Sequence, residues 1–255
     1  MPSPVSYASG TSQQPLLGLT IGAQFDEIVA AYPDRPAIVS VHQAIRLTYA
    51  ELAQAVDTLA RALMAVGLGK GDRIGIWSPN NVEWLVTQYA SAKVGAILVT
   101  INPAYRVHEL DYVLKQSGCK ALVLQNQFKT SDYEAMTLSL CPELDHCAVG
   151  NLQSEKFPDL TTVISLSSSP CAGIFDWADL LRTASSVSTA QLTARQAELD
   201  MDDPINIQYT SGTTGFPKGA CLSHHNILNN GFFVARTMNF TEHDRLVVPV
   251  PLYHC

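Results

Sequence analysis

The sequence is poor in charge. Of its 255 residues only 15% are Asp, Glu, Lys or Arg, against roughly a quarter in an average soluble domain. Beside an apolar content of 47%, this scarcity excludes intrinsic disorder, which needs the opposite combination. Basic residues are the scarcer sign: 16 Lys and Arg face 23 Asp and Glu, giving a net charge of -7 and a pI near 5.4. That excludes a general nucleic-acid surface, which would be basic. A polyanion could be held only at a concentrated local site. The six cysteines (Cys119, Cys141, Cys147, Cys171, Cys221 and Cys255) include no CxxC pair and no zinc-like spacing with histidine. Scattered through a chain of this length, they read as reduced thiols of an intracellular protein. Residues 1–25 contain no charged side chain, so both the basic n-region of a secretory signal and the arginines of a transit peptide are missing. Three prolines in that stretch, and polar residues breaking every later uncharged run, leave no transmembrane segment to read. The expectation is a soluble, cytoplasmic protein with residues 1–17 as a disordered or extended leader.

What is present is a regular alternation of helical and strand-like segments. Thr48 and Glu51 form a capping box, after which Leu52, Val56, Leu59 and Leu63 share one helical face. Gly67 and Gly69 close that helix and RIGIW (73–77) follows as a β-rich run. Asn80 is expected to cap the helix VEWLVTQYASAKVG, with Glu83 at its third position. AILVTI (96–101) is the continuous apolar run of a strand buried on both faces. HELDYVLKQSG (108–118) reads as a helix ending at its glycine, and KALVLQ (120–125) as the next strand. This β-α-β-α order predicts an α/β fold with a doubly wound parallel sheet.

From about 150 to 200 the texture is irregular, with one further strand at TTVISL (161–166), short helix around DWADLLR, and loop at SSSPCAG and TASSVSTAQ. The rhythm then returns with DPINIQYT (203–210), a Gly-rich segment, the helix-like SHHNILNNGFFVARTM and the strand-like RLVVPV (245–250). The chain finishes on PLYHC, with no polar tail after it.

The segment that carries chemistry is YTSGTTGFPKGA, 209–220. It is expected to lie between a strand and a helix, where phosphate-binding loops are found. Gly212, Gly215 and Gly219 permit turns and close approach that side chains would block. Thr210, Ser211, Thr213 and Thr214 supply hydroxyl groups, and successive backbone N–H groups around Phe216 can form an anion-binding nest. Pro217 stiffens the far side and Lys218 adds a positive charge for a polyphosphate. The Walker pattern G-x-x-x-x-G-K-[ST] fails here: counted from Gly212, its second glycine falls on Pro217, and Gly219 follows Lys218. A G-x-G-x-x-G fingerprint fails as well, because Thr213 and Thr214 follow Gly212 directly.

These residues resemble the signature loop of the AMP-forming acyl-adenylate ligases, which include acyl- and aryl-CoA synthetases, luciferases and peptide-synthetase adenylation domains. LTYAEL (47–52), VGAILVTINPAYRVHELDYVLKQSGCKALV (94–123) and the closing PLYHC (251–255) are similar to further landmarks of that family. Within it, DLTTVIS, DPINIQYTSGTTG and GACLSHHNILNN look closest to the medium-chain acyl-CoA synthetase family member 2 branch, over nearly all of residues 18–255. The resemblance implies a reaction in two steps: a fatty acid's carboxylate attacks the α-phosphate of ATP, and CoA then displaces AMP to give the thioester. It implies that residues 210–218 hold the β- and γ-phosphates together with Mg2+. It also implies that His254 stands between the acyl carboxylate and the α-phosphate and, with Lys218, serves catalysis. The acid it implies is medium- or long-chain.

The family's adenine, ribose, hinge and C-terminal lysine segments are absent from these 255 residues. Residues 18–255 therefore read as a truncated AMP-binding (adenylation) domain without the small C-terminal domain, expected to be inactive alone. A noncatalytic phosphate-binding fragment is the alternative, and an unrelated P-loop nucleotidase a weaker one. No protein metal site is read: His224 and His225 lack acidic or Cys neighbours at ligand spacing and read as cap or packing residues. Trp77, Trp84 and Trp177 read as packing, and Asn102-Pro103 as a turn after a strand.

Overall fold

A computed structural model describes residues 13–210 and 217–254. Among them the strands are β1 (Pro36–Ser40), β2 (Ile45–Thr48), β3 (Arg73–Trp77), β4 (Ile97–Ile101), β5 (Ala121–Leu124), β6 (Gln127–Phe128), β7 (Ser131–Asp132), β8 (Thr162–Ser165), β9 (Phe175–Asp176), β10 (Pro204–Thr210) and β11 (Lys218–Ser223). The helices are α1 (Ile21–Ala31), α2 (Tyr49–Ala65), α3 (Val82–Val94), α4 (Val107–Ser117), α5 (Tyr133–Leu140), α6 (Trp177–Arg182), α7 (Thr189–Ala197) and α8 (His224–Thr237). Seven strands form one sheet in the order β11-β10-β4-β3-β5-β8-β9, parallel throughout except for the β10/β11 pair. The chain steps from β3 to β4 on one side and then back across β3 to β5, which is the doubly wound arrangement the alternation predicts.

The two-residue period of a strand divides the core. Ile74, Ile76, Leu98, Ala121, Val123 and Ile164 face α2 and α3, with α6 and α7 beyond. Trp77, Val99, Ile101, Leu122, Leu124 and Val163 face the other way, onto α4 and α5. Gly75 keeps β3 slim on that second side, since a Cβ there would stand 3.1 Å from both Ile101 and Leu122 side chains. The expected caps are in place on α2, where Thr48 and Glu51 complete a capping box, and at Gly118, which ends α4 in the left-handed conformation.

Four expectations are corrected. The N-cap of α3 is Asn81, whose Oδ1 accepts from the Trp84 N–H at 2.7 Å, so Asn80 is free for another task. Residues 183–191, read as loop from their small polar composition, hold a 3-10 turn and the start of α7, which a Ser188/Gln191 capping box opens and the apolar anchor Leu192 fixes to the core. RLVVPV (245–250) forms no strand: no neighbouring strand among the described residues pairs with it, and Pro249 has no N–H to give a ladder. The Gly-rich segment does not join a strand to a helix. It joins β10 to the antiparallel β11, and α8 begins only after the six residues of β11.

Candidate active site

β10 enters the site from the core. Ile205 and Asn206 are buried near its start, Tyr209 is buried near its end, and Thr210 emerges into solvent at the sheet's carboxyl edge. Antiparallel pairing puts Lys218 directly opposite Thr210, whose hydroxyl donates to the Lys218 carbonyl at 3.4 Å. Both residues are exposed, and Lys218 makes no ion pair among the described residues. Ser211, Gly212, Thr213, Thr214, Gly215 and Phe216 lie outside the described residues, between these two ends.

A group of tyrosines supports the hairpin. Tyr209 is joined in the second core by the partly buried Tyr105 and by Tyr112 on α4. The Tyr112 hydroxyl donates to the Pro217 carbonyl at 3.1 Å, tying the foot of β11 to a helix. Burial pushes the Tyr209 phenol well up from its ordinary range, and Cys119 and the neighbouring tyrosines add to this. Tyr105 is raised as well, first by burial and then by Tyr253 and Glu109. The phenols of Tyr209 and Tyr105 stay neutral at physiological pH and add no negative charge beside the hairpin.

The sheet's carboxyl edge is built from rigid turns. After β4, Asn102 Oδ1 accepts from the Ala104 N–H at 2.8 Å, confirming the expected turn. Trp77 donates from Nε1 to the Asn102 carbonyl, stacks on Tyr133 at 3.7 Å between ring centres, and Tyr133 in turn bonds the Pro103 carbonyl. After β3, Asn80 reaches the C-terminal segment: its Nδ2 donates to the Val250 carbonyl at 2.9 Å and its Oδ1 accepts from the Leu252 N–H at 2.7 Å. The 3-10 turn Leu252–His254 that follows packs against β4 and β10. Leu252 reaches the first core, and His254 is exposed.

Thr210, Lys218 and His254, although far apart in sequence, thus arrive at one edge of one sheet. This is the carboxyl edge, where open α/β sheets bind their ligands. Asn80 and Tyr112 were not legible as site residues; the only signal was Asn80's cap-forming residue type, and that pointed to the neighbouring helix. The packing reading holds for His224, which is fully buried, and for Trp77 and Trp84. Among the described residues, no three His, Cys, Asp or Glu side chains converge as a metal site.

The family model described as "AMP-binding enzyme" matches residues 25–255. This chain belongs to the AMP-binding enzyme family. Its curated relatives include the mitochondrial medium-chain acyl-CoA ligase ACSF2 of Mus musculus, 45% identical over 98% of this chain and 42% of the relative. The ACSF2 ligase of Danio rerio is 46% identical over 98% of this chain and 41% of its own length. Among solved structures, a Mycobacterium tuberculosis fatty acyl CoA synthetase superposes with a TM-score of 0.73 at 27% identity, covering 92% of this chain and 40% of that one. The chain therefore spans well under half the length of these AMP-binding relatives. No described helix is long and apolar enough to cross a membrane.

Proposed function

We propose that residues 18–255 form part of the adenylation domain of an AMP-forming fatty acid–CoA ligase, preceded by a leader over residues 1–17. The observation that carries this reading is the meeting of the Thr210/Lys218 hairpin mouth and the His254 turn at one carboxyl sheet edge in a member of the AMP-binding family. In the reaction a carboxylate oxygen bonds to the α-phosphorus of ATP as the bond to pyrophosphate breaks. The CoA sulfur then bonds to the acyl carbon as AMP leaves.

The described residues suit the first step. Lys218 is exposed and carries no ion pair among the described residues, so its ammonium is available to β- and γ-phosphate oxygens. The Thr210 hydroxyl stands beside it, and Ser211 to Pro217 would complete the cradle. His254 would orient the carboxylate against the α-phosphate. Mg2+, when bound with the nucleotide, would share the phosphate charge and supply charge neutralisation there. Bringing two anions together makes positioning and electrostatic stabilisation the main contributions of such a site.

Medium- or long-chain fatty acid is the proposed acid class, in keeping with the names of the relatives. Location in the cytoplasm is proposed alongside relatives named mitochondrial, and cell fractionation decides between the two. Exchange of labelled pyrophosphate into ATP, driven by a medium-chain fatty acid, tests the function. Acid-dependent exchange is expected once these residues are joined to the remaining length of an ACSF2 relative. Hydrolysis of ATP to ADP in its place would overturn the reading. Because the chain spans 42% of the Mus musculus relative, binding of ATP without exchange is the expectation for the 255 residues alone.

A further inference from the structure

We propose that Asn80 is the positioning residue for His254. The inference rests on the proposed role of His254 and adds what sets that side chain's place. Residues 245–250 form no regular structure and are largely exposed, so nothing regular upstream aims His254. Its aim comes from the Leu252–His254 turn, closed by the His254 N–H donating to the Pro251 carbonyl at 3.0 Å.

Asn80 grips the chain on both sides of Pro251. One carboxamide donates to the Val250 carbonyl at 2.9 Å and accepts from the Leu252 N–H at 2.7 Å. A carboxamide can do both at once; a carboxylate can only accept, and a methyl group can do neither. The clamp is itself held firmly. Asn81 caps α3 through Oδ1 and donates from Nδ2 to Ser78 Oγ at 2.7 Å, fixing the short turn after β3 on which Asn80 sits. Leu252, partly buried, packs against the first core below. A rotation of the clamped pair would move His254 relative to the Thr210/Lys218 mouth, and small misplacements at a reacting centre carry large rate penalties.

The test compares the 255-residue protein with its Asn80→Ala and Asn80→Asp variants by 15N NMR. In the parent, the Leu252–His254 amides should show heteronuclear NOE values like those of the sheet. Asn80→Ala should drop them to values typical of a loose terminus while α3 stays ordered. Asn80→Asp, nearly isosteric and the safeguard if the alanine variant does not fold, should lose order partly because one of the two bonds survives. Unchanged NOE values in both variants would overturn the proposal.

A second readout separates it from the underlying reading. In a completed ligase, Asn80→Ala should lower the rate constant of pyrophosphate exchange about tenfold with KM for ATP held within about twofold. Equal loss in kcat and rise in KM would mark a general structural role and sink the positioning role. If His254→Ala leaves exchange unchanged while the NOE loss is present, the role of His254 fails and the clamp stands.

Discussion

Lys218 illustrates how the role proposed for one side chain depends on its place in a ladder. The register that sets it across from Thr210 also turns it out to solvent, with no described carboxylate to neutralise it. A charge held there is wanted most where phosphate charge builds up in the transition state. Lys218→Ala in a completed ligase should therefore slow pyrophosphate exchange by one to two orders of magnitude, on the order of 1.4–2.7 kcal/mol. Binding of the fatty acid, followed by calorimetry, should change little. His224 shows the opposite case, a titratable group withdrawn from chemistry. Its Nδ1 accepts from the Ile21 N–H at 3.1 Å, so the proton sits on Nε2, buried and without a partner. Burial depresses its pKa to about 4, outweighing the pull of Asp203 and Asp200 in the other direction. The unfolded chain takes up this proton near the ordinary value of about 6.5, while the folded chain resists it. Stability from this group is therefore complete above pH 6.5 and falls as the pH drops toward 4, by up to about 3 kcal/mol. Urea denaturation between pH 7.5 and 4.5 should record the decline, and His224→Asn, which keeps an acceptor near Nδ1, should flatten it.

Helices α1, α2 and α3 meet around a single buried cation. Lys93 of α3 is 2% exposed and reaches Asp26 of α1 at 2.5 Å and Asp57 of α2 at 2.6 Å, with the Phe25 ring beside it. Removing both carboxylates strands the ammonium, whereas removing the lysine leaves two half-exposed carboxylates that water can serve. Asp26→Asn with Asp57→Asn should cost about 2 kcal/mol, below the range for a fully buried pair because both acids reach solvent. Lys93→Met should cost clearly less, and thermal unfolding of the two variants orders them. Strands were the most legible elements in the sequence. ILVTI and ALVL are almost wholly apolar runs, and TVIS is buried at every position, because both faces of a central parallel strand are covered. β11 was hidden because an edge strand needs no such pattern: Lys218, Gly219, Ala220 and Cys221 are all exposed, and a small polar run of this kind reads equally as loop. The same ambiguity concealed α7. The clamp by Asn80 left only a misleading local trace, its cap-forming residue type, since its partners stand 170 and 172 residues away.

Across the whole molecule the candidate site is a meeting of distant segments, and sequence motifs named Thr210, Lys218 and His254 without showing that they meet. The α/β architecture followed from alternation alone, whereas the hairpin and the seating of His254 depend on pairing that no short window contains. One surface feature should have a measurable effect on behaviour in solution. Leu246, Val247, Val248 and Val250 are 66%, 83%, 48% and 42% exposed, and Val234, Met238 and Phe240 lie exposed on and just after α8. Exposed apolar groups of this density favour self-association. Val247→Glu with Val248→Glu should reduce binding of a hydrophobic dye and shift sedimentation toward the monomer, with unfolding stability changed by less than about 0.5 kcal/mol. The sheet order carries a consequence in time. β10 pairs with β4, Asn206 lying beside Leu98 and Gln208 beside Thr100. As the chain leaves the ribosome, β3, β4, β5 and β8 can assemble first, and the outer edge of β4 stays unpaired until β10, which begins at Pro204 while β4 ends at Ile101, has been made. Long-range parallel pairing is slow, and an open strand edge invites other chains. The step that shields this edge is the same docking of β10 that builds the hairpin mouth, so premature aggregation and failure to form the site share one kinetic origin.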